Sequence, residues 1–222
     1  MRMFDFGSNW EAFSEERVDG RRLASAVKSL QVLLQRETLE GSSFLDIGCG
    51  SGLFTIAASQ LGAERAIGID INSRCIAVSE QNRARLAPQS CLTFLQVSAL
   101  DPVSLQKLGE FDIVYAWGSL HHTGAMWGAI RNVARQVALR GTFVLANYNK
   151  RVTSSIWAVV KWLYNHSPPI GRGLIAREFA GIIYVAKLAV THQNLLDRKR
   201  SIDFWYDVID RVGGYPYEYS QL

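Results

Sequence analysis

Residues 44–52 read FLDIGCGSG, a short apolar run with one acidic residue, followed by three glycines at alternate positions. An apolar pattern with helical spacing follows at 53–61. Glycine reaches backbone conformations that other residues avoid, and the first turn of a helix presents unpaired N–H groups. The segment therefore predicts a strand, a tight turn that approaches a ligand, and a helix.

The chain around this segment repeats the same alternation. Short apolar runs, typical of buried strands, lie at 43–47, 66–70, 92–97, 111–117 and 142–147. Helical patterns lie between or before them at 18–39, 53–61, 73–86, 102–108 and 125–139. Strands that alternate with helices of this length form right-handed βαβ units, so the predicted fold class is α/β with a doubly wound, mostly parallel sheet.

The composition bounds the domain organisation. With 222 residues, 48% of them hydrophobic and 20% charged, the chain can build one sizeable core and is too apolar for a disordered protein. The longest uncharged stretches, 47–63 and 113–130, contain several glycines, so we expect no bilayer span. We divide the chain into an N-terminal helical part (1–41), an α/β core (42–149) and a C-terminal part with helical patterns only (150–222).

Cysteines and charge exclude several classes of protein. The three cysteines lack a CxxC spacing, and the first ten residues lack the apolar core of a signal peptide, so we expect a cytoplasmic protein without disulfides. The net charge of +4 arises from residues 150–222, with 10 basic and 6 acidic side chains, whereas residues 1–149 carry 14 of each. A balanced core argues against a nucleic-acid partner, and we interpret the basic excess as a solvated face.

The glycine segment fits one ligand class better than another. A dinucleotide-binding turn has the pattern GxGxxG, but the third glycine position here is Leu53. Asp46 at the tip of the strand would repel a pyrophosphate, whereas its carboxylate suits a ligand with a cationic amino group. These features argue against a nicotinamide oxidoreductase.

A second acidic residue lies at the tip of the next strand. Asp70 ends the run 66–70, and a carboxylate at that position can accept hydrogen bonds from both hydroxyls of a ribose. The alternative is a surface aspartate that caps the helix beginning near Ser73. Together with the glycine segment, the ribose interpretation is favoured.

Residues 44–52, Asp70 and the segment 115–123 resemble those of class I S-adenosylmethionine-dependent methyltransferases, in particular the small-molecule group that includes quinone-biosynthesis enzymes. The resemblance covers about residues 1–149 and implies a Rossmann-like core with S-adenosyl-L-methionine as the cofactor. It implies that the methionine end is held by Asp46 and the amides around Gly48, Cys49 and Gly50, the ribose by Asp70, and the adenine by Ile71, Ser98 and Ala99, with Trp117 backing the methionine moiety.

The N-terminal segment 6–13 is similar to a segment that folds over the cofactor in some family members. Trp10 and Phe13 are therefore candidates for shielding the sulfonium, and residues 1–41 for a helical lid. The alternative, which is slightly favoured, is a hydrophobic staple for the first helix.

Two adjacent histidines follow the fourth strand. His121 and His122 lie where a doubly wound sheet binds ligands, and imidazole titrates near neutrality, so either is a candidate general base. Because neighbours in a strand-like segment face opposite ways, we expect at most one of them to face the site. The alternative is a pair that satisfies loop backbone groups. No spacing supplies further metal ligands, and we expect no metal.

The C-terminal part is expected to shape the acceptor pocket. We favour core packing for its apolar faces over a peripheral membrane contact, which stays open. Similar family members end their sheet in an antiparallel hairpin, for which 150–222 offers no strand pattern, so we expect a truncated chain. The fifth strand would then keep an unpaired edge, which predicts a homodimer or poor solubility.

The predicted function is methyl transfer from S-adenosylmethionine to oxygen, nitrogen or carbon of a small molecule. The first alternative is an RNA methyltransferase, against which the balanced charge and the segment AWGS at 116–119 argue. The second is a protein that binds the cofactor without catalysing transfer.

Overall fold

The computed structural model describes residues 11, 14, 18–88 and 91–147, and a set of positions between 159 and 182: 159–160, 162–164, 166–168, 170–171, 173–179 and 181–182. The chain divides into two compact units. The larger unit is Asp5–Tyr148, and the smaller joins Met1–Phe4 to Asn149–Leu222. Each is described by itself.

Helices and strands alternate along the larger unit. Its described strands are β1 (Ser43–Ile47), β2 (Arg65–Asp70), β3 (Leu92–Gln96), β4 (Phe111–Trp117) and β5 (Val137–Ala146). Its described α-helices are α1 (Gly20–Leu34), α2 (Leu53–Gln60), α3 (Ser73–Leu86), α4 (Pro102–Leu108) and α5 (Met126–Ala134), with a short 3-10 helix at Leu120–His122.

The strands form one parallel sheet in the order β3-β2-β1-β4-β5. The chain moves outward from β1 through β2 and β3, then returns to pair β4 with the other side of β1. This order confirms the predicted α/β class. Ligands of such sheets bind at the carboxyl ends of the strands beside the point of reversal, which here lies between β1 and β4.

Alternating side chains divide the core between the two faces of the sheet. Phe44 and Ile113 pack with α1 and α2 residues in one buried cluster, whereas Leu45 and Val114 pack with α4 and α5 residues in the other. This two-residue period is what a strand buried on both faces requires. Asp46 is two residues from Phe44 and therefore belongs to the α1–α2 face.

The fifth strand begins earlier than the sequence predicts. A helix was expected to continue to residue 139, but α5 ends at Ala134 and β5 begins at Val137. The pairing with β4 shifts register between Phe111 and Ile113, and Arg140 has a φ of 68°. An irregular strand of this kind breaks the two-residue pattern, which is why its first half resembles a helix in sequence. The first helix is also shorter than the predicted 18–39.

In the smaller unit, the described residues are helical at 159–160, 162–164, 166, 170–171, 173–179 and 181–182. Pro168 is not helical, in line with the predicted break. The expected absence of a terminal strand hairpin concerns positions beyond residue 182, outside the described residues. Over the described part of the chain, no helix has the length and apolar content needed to cross a membrane.

Candidate active site

The turn after β1 is built from glycines that no other residue could replace without strain. Gly48, Gly50 and Gly52 have φ angles of 73°, 56° and 74°, in the region that side chains with a Cβ avoid. A Cβ on Gly48 would lie 2.5 Å from Ser119 Cβ, and one on Gly52 would lie 2.5 Å from Phe94 Cζ. The glycine loop, residues 48–52, is thus fixed by both backbone conformation and space.

The N–H groups of the glycine loop bond to the end of β2. The amides of Gly48 and Cys49 donate to Ile69 O at 2.7 and 3.0 Å, and Gly50 N lies 3.2 Å from Asp70 Oδ2. Each of the three amides for which the family resemblance implies a bond to a ligand therefore has an acceptor within the protein. What the loop offers a ligand is a close backbone surface.

Asp46 lies beneath this loop, with only 3% of its surface exposed. Thr55 Oγ1, on α2, donates to Asp46 Oδ2 at 2.8 Å. Burial raises the pKa of Asp46 to about 7, and the negative charge of Asp70 adds to this, while the Thr55 hydrogen bond opposes it. The carboxylate is therefore held at an electrostatic cost.

Gly68 on β2 makes room for the Asp46–Thr55 pair. It stands opposite Asp46 in the sheet register, and a Cβ there would lie 2.6 Å from Phe94 Cδ1 and 2.7 Å from Thr55 Oγ1. Neither Thr55 nor Gly68 was predicted as a site residue from the sequence. The available signal was a lone hydroxyl residue on the buried face of the apolar helix LFTIAASQ.

Asp70 ends β2 with both carboxylate oxygens at the carboxyl edge. Oδ1 accepts from Asn72 N at 2.9 Å, and Oδ2 accepts from Gly50 N. Burial raises the pKa of Asp70, and these two hydrogen bonds oppose the rise. The N-cap of α3 is Asn72, whose side chain accepts from Arg74 N. Capping of α3, the alternative role considered for Asp70, thus belongs to Asn72.

An apolar surface adjoins Asp70. The side chain of Ile71 is 54% exposed, although it is large and hydrophobic. Ser98 and Ala99, after β3, are half-buried, and Asn132 Nδ2 donates to Ala99 O at 3.2 Å. The structure thus places Ile71, Ser98 and Ala99 at the carboxyl ends of two adjacent strands, beside a carboxylate.

Aromatic rings lead from the core to the same edge. Phe54 on α2 contacts Tyr115, with ring centroids 5.2 Å apart, and Tyr115 stacks on Trp117 at 6.0 Å. Tyr115 is buried and Trp117 is 54% exposed. Burial and the neighbouring Asp46 charge raise the pKa of Tyr115, so its hydroxyl stays neutral. An exposed indole therefore ends β4 near the glycine loop.

The histidine pair differs from the expectation. Gly118, with a φ of 71°, ends β4, and residues Leu120–His122 form a 3-10 helix instead of continuing an extended strand. The two imidazoles are therefore in contact, with centroids 4.2 Å apart, and the prediction that they face opposite ways is wrong. Their positions on one tight turn bring both rings together.

The two histidines differ in burial. His121 is 1% exposed, and its Nδ1 lies 3.4 Å from Asn147 Oδ1 at the end of β5. His122 is half-buried. Ser119 Oγ, just before them, donates to Ile47 O at 2.7 Å and so ties this turn to the end of β1. Within the described residues, no cluster of three or more His, Cys, Asp or Glu side chains could hold a metal ion. Trp10 and Phe13 lie outside the described residues.

Comparisons with known proteins point to one family. A sequence model described as a methyltransferase domain matches residues 39–170. The ribosomal protein L11 methyltransferase of Photorhabdus laumondii is 37% identical over 117 residues, which cover 51% of this chain and 37% of that protein. The corresponding protein of Pectobacterium carotovorum is 55% identical over 47 residues, or 21% of this chain and 16% of that protein. The matches thus span well under half the length of these relatives.

A solved structure has a similar fold. The YcgJ protein of Bacillus subtilis superposes with a TM-score of 0.51 and 22% sequence identity, covering 66% of this chain and 59% of that one. At this identity the likeness concerns the fold, which agrees with the parallel sheet described above.

Proposed function

The chain belongs to the methyltransferase domain family, as its resemblance to class I S-adenosylmethionine-dependent methyltransferases predicted, and we propose that it transfers a methyl group from S-adenosylmethionine to a small-molecule acceptor. The family match covers residues 39–170, which include every described residue of the candidate site.

The observation that carries the proposal is the hydrogen bond between Asp70 and the glycine loop. Gly50 N donates to Asp70 Oδ2, so a carboxylate and the backbone of a glycine-rich turn form one unit at the edge where β1 and β2 end. A carboxylate there can accept hydrogen bonds from vicinal hydroxyls, while the exposed Ile71 offers an apolar contact for a base. These groups fit a nucleoside with an amino-acid extension.

When bound, S-adenosylmethionine supplies an electrophilic methyl group on a sulfonium. We assign the ribose to Asp70, the adenine to Ile71, Ser98 and Ala99, the methionine end to the glycine loop (Gly48, Cys49, Gly50) and Asp46, and the vicinity of the sulfonium to Trp117. Because Asp46 is enclosed with Thr55, its part is to supply negative charge from beneath the loop. Shielding by Trp10 stays a prediction.

On the acceptor side, we propose His122 as the general base and His121 as the residue that positions it. His122 is half-buried and its ring contacts that of His121, which is enclosed near Asn147. A base of this kind assists transfer to a hydroxyl or a protonated nitrogen. Alignment and exclusion of water supply the rest of the acceleration.

Replacing His122 tests this assignment. His122→Asn should lower the rate of methyl transfer about 100-fold without changing the Kd for S-adenosylmethionine, since a positioned base contributes at least that much. Lys107→Asn, at an exposed residue of α4 that belongs to no part of the proposed site, is the control and should change neither. Equal rates for His122→Asn and the wild type would contradict the role of base.

A second candidate is methylation of a protein. It is favoured by the identity shared with ribosomal protein L11 methyltransferases, whose name specifies a protein acceptor. The chain matches only 37% of such a relative, and the balanced charge of residues 1–149 gives no particular attraction for nucleic acid.

Two measurements test the function. Calorimetric titration with S-adenosylmethionine and, separately, NADH should give binding of the first alone, and binding of NADH alone would overturn the cofactor assignment. Next, a cell extract is incubated with the protein and S-adenosylmethionine labelled on the methyl group, then separated into small molecules, protein and RNA. Label in small molecules supports the main proposal, label in protein the second candidate, and label in RNA contradicts both. Cofactor binding without any label would make the protein non-catalytic.

Two further features of the proposal concern partners and location. We propose self-association through the β5 edge, which has β4 on one side in the described sheet, and a clean monomer by light scattering would contradict it. Cys49, Cys75 and Cys91 carry thiols rather than disulfide bonds, which supports a cytoplasmic location.

A further inference from the structure

The amide side chain of Asn82 lies between the glycine loop and the polypeptide that precedes α1. Asn82 is on α3 and only 1% exposed. Its Nδ2 donates to Ser51 O, in the loop, at 2.9 Å. Its Oδ1 accepts from Ser14 Oγ at 2.8 Å and from Arg85 Nη2 at 2.8 Å. One buried amide thus joins segments 31 and 68 residues away in sequence.

Two neighbours on α3 reinforce this arrangement. Ser79, one turn before Asn82, donates from Oγ to Gly50 O at 3.1 Å, so α3 holds two consecutive carbonyls of the loop. Arg85 donates to Val18 O at 2.7 Å, so the same helix also holds the chain that leads into α1. Buried polar groups are costly without partners, and here each polar atom of Asn82 has one.

We propose that Asn82 is a positioning residue for cofactor binding: it fixes the glycine loop at Ser51 and ties the chain at Ser14 to it. This inference rests on the proposed function, because it takes the glycine loop as part of the S-adenosylmethionine site. A purely structural Asn82 would lower stability alone. If Asn82 is a positioning residue, it also sets the affinity of the folded protein for S-adenosylmethionine. Replacing it would then weaken binding, because Ser51 O would lose its donor and the glycine loop its attachment to α3.

The test compares the Kd for S-adenosylmethionine and for S-adenosylhomocysteine in Asn82→Ala, Ser14→Ala and the double variant. Each Kd is measured by calorimetry well below the Tm of the variant. Asn82→Ala should raise both Kd values about tenfold. This is the effect expected when a buried hydrogen bond is lost and its acceptor, Ser51 O, is left without a donor. Ser14→Ala leaves the bond to Ser51 O in place and should weaken them about threefold.

A control variant and the comparison of the two single variants with the double variant make the test decisive. Val78→Ala, at a buried apolar residue of the same helix, should lower the Tm but leave both Kd values unchanged. In the Asn82→Ala background, Ser14 has lost its acceptor, so adding Ser14→Ala should change the Kd no further. An Asn82→Ala affinity equal to that of Val78→Ala, or Ser14 effects that simply add, would overturn the inference.

Two further outcomes can be told apart: a variant Asn82→Ala that does not fold, and a wild-type protein that binds neither ligand. If Asn82→Ala does not fold, Ser79→Ala and Ser14→Ala still decide, because wild-type affinity in both would reject positioning from α3. If the wild type itself binds neither ligand, the proposed function fails, whereas normal wild-type binding with unaffected variants rejects the role of Asn82 alone.

Discussion

At the amino edge of the sheet, Asp112 is exposed and accepts hydrogen bonds from Ser43 N and Ser43 Oγ, which hold its pKa below the usual value. At the carboxyl edge, burial raises the pKa values of Asp46 and Asp70 despite their hydrogen bonds. The first carboxylate helps to join β1 to β4. The other two oppose folding, which is what a site prepared for a ligand requires.

The largest difference between the carboxylates at the two edges is expected in the pH dependence of stability at Asp46. Asp46 has a folded pKa of about 7 against an ordinary 3.8, so the native state keeps a proton that the unfolded chain releases. The contribution of Asp46 to stability should be greatest below about pH 4, fall as the pH rises to about 7, and stay low above that. Asp46→Asn should flatten this fall and raise the free energy of unfolding at about pH 8 by up to about 4 kcal/mol.

Urea unfolding of wild type and Asp46→Asn at about pH 5 and about pH 8 measures the difference. The variant gains stability but loses the negative charge beneath the glycine loop, so its Kd for S-adenosylmethionine should rise. Parallel pH profiles for the two proteins would show that Asp46 is not the titrating group.

The next effect concerns ligand binding at the two edges. Asp70→Asn should raise the Kd for S-adenosylmethionine about 100-fold. The two hydrogen bonds that we assign to the ribose hydroxyls would both be weakened, because their acceptor would no longer be charged. Asp112→Asn, the same substitution at the amino edge, should leave the Kd unchanged. Isothermal titration of both variants makes the comparison, and an equal loss in the two would remove the functional contrast between the edges.

Glycines at the two ends of β1 provide a comparison of intermediate size. Gly41, before the strand, has a φ of 70° and no atom within 4 Å of an added Cβ, whereas Gly48, after it, has a φ of 73° and meets Ser119 Cβ at 2.5 Å. Gly41→Ala should cost about 1 kcal/mol from conformation alone. Gly48→Ala should cost about 2 kcal/mol more from the clash, measured by urea unfolding. Equal costs would mean that Ser119 moves freely.

The smallest effect is expected at the amino edge itself. Ser43→Ala removes a hydroxyl that donates to Asp112 Oδ2 and accepts from Asp112 N, and the loss in an exposed pair should be under about 1 kcal/mol. A carboxylate whose pKa is lowered in the folded state stabilises that state at pH values above its unfolded pKa, and this stabilisation is lost as the pH falls. Without Ser43 Oγ the contribution of Asp112 is smaller, so the stability of the variant should be less sensitive to acid. An NMR titration should find the pKa of Asp112 closer to its ordinary value.

Much of the fold could be predicted because three of the five described strands, β1, β2 and β4, are apolar runs ended by glycine or an acidic residue. The predicted run 43–47 is β1 to the residue, and 66–70 misses only Arg65 of β2. The error at β5 arose where Arg140 takes a left-handed conformation inside a strand, an irregularity that apolar spacing does not encode.

The site divides in a similar way. Asp46, Asp70 and the glycines are identifiable from spacing alone because they lie at strand tips. Thr55 and Asn82 are not, since each acquires its partner only when a helix packs over the loop. The contact between the two histidines likewise depends on a turn that begins at Gly118, which no local pattern distinguishes from an extended strand.

The ring of Phe94 has a consequence for how this sequence can change over time. A Cβ at Gly52 or at Gly68 would come within about 2.6 Å of that one ring, although the two glycines lie in different elements. Neither glycine can be exchanged while the phenylalanine is present, so the ring restricts two positions at once. A smaller residue at 94 would relieve this contact at both glycines, but Gly52 would keep its left-handed φ of 74° and its contact with Ser79, and Gly68 its contact with Thr55. Replacements at 52 and 68 should therefore need a change at 94 together with at least one other change nearby.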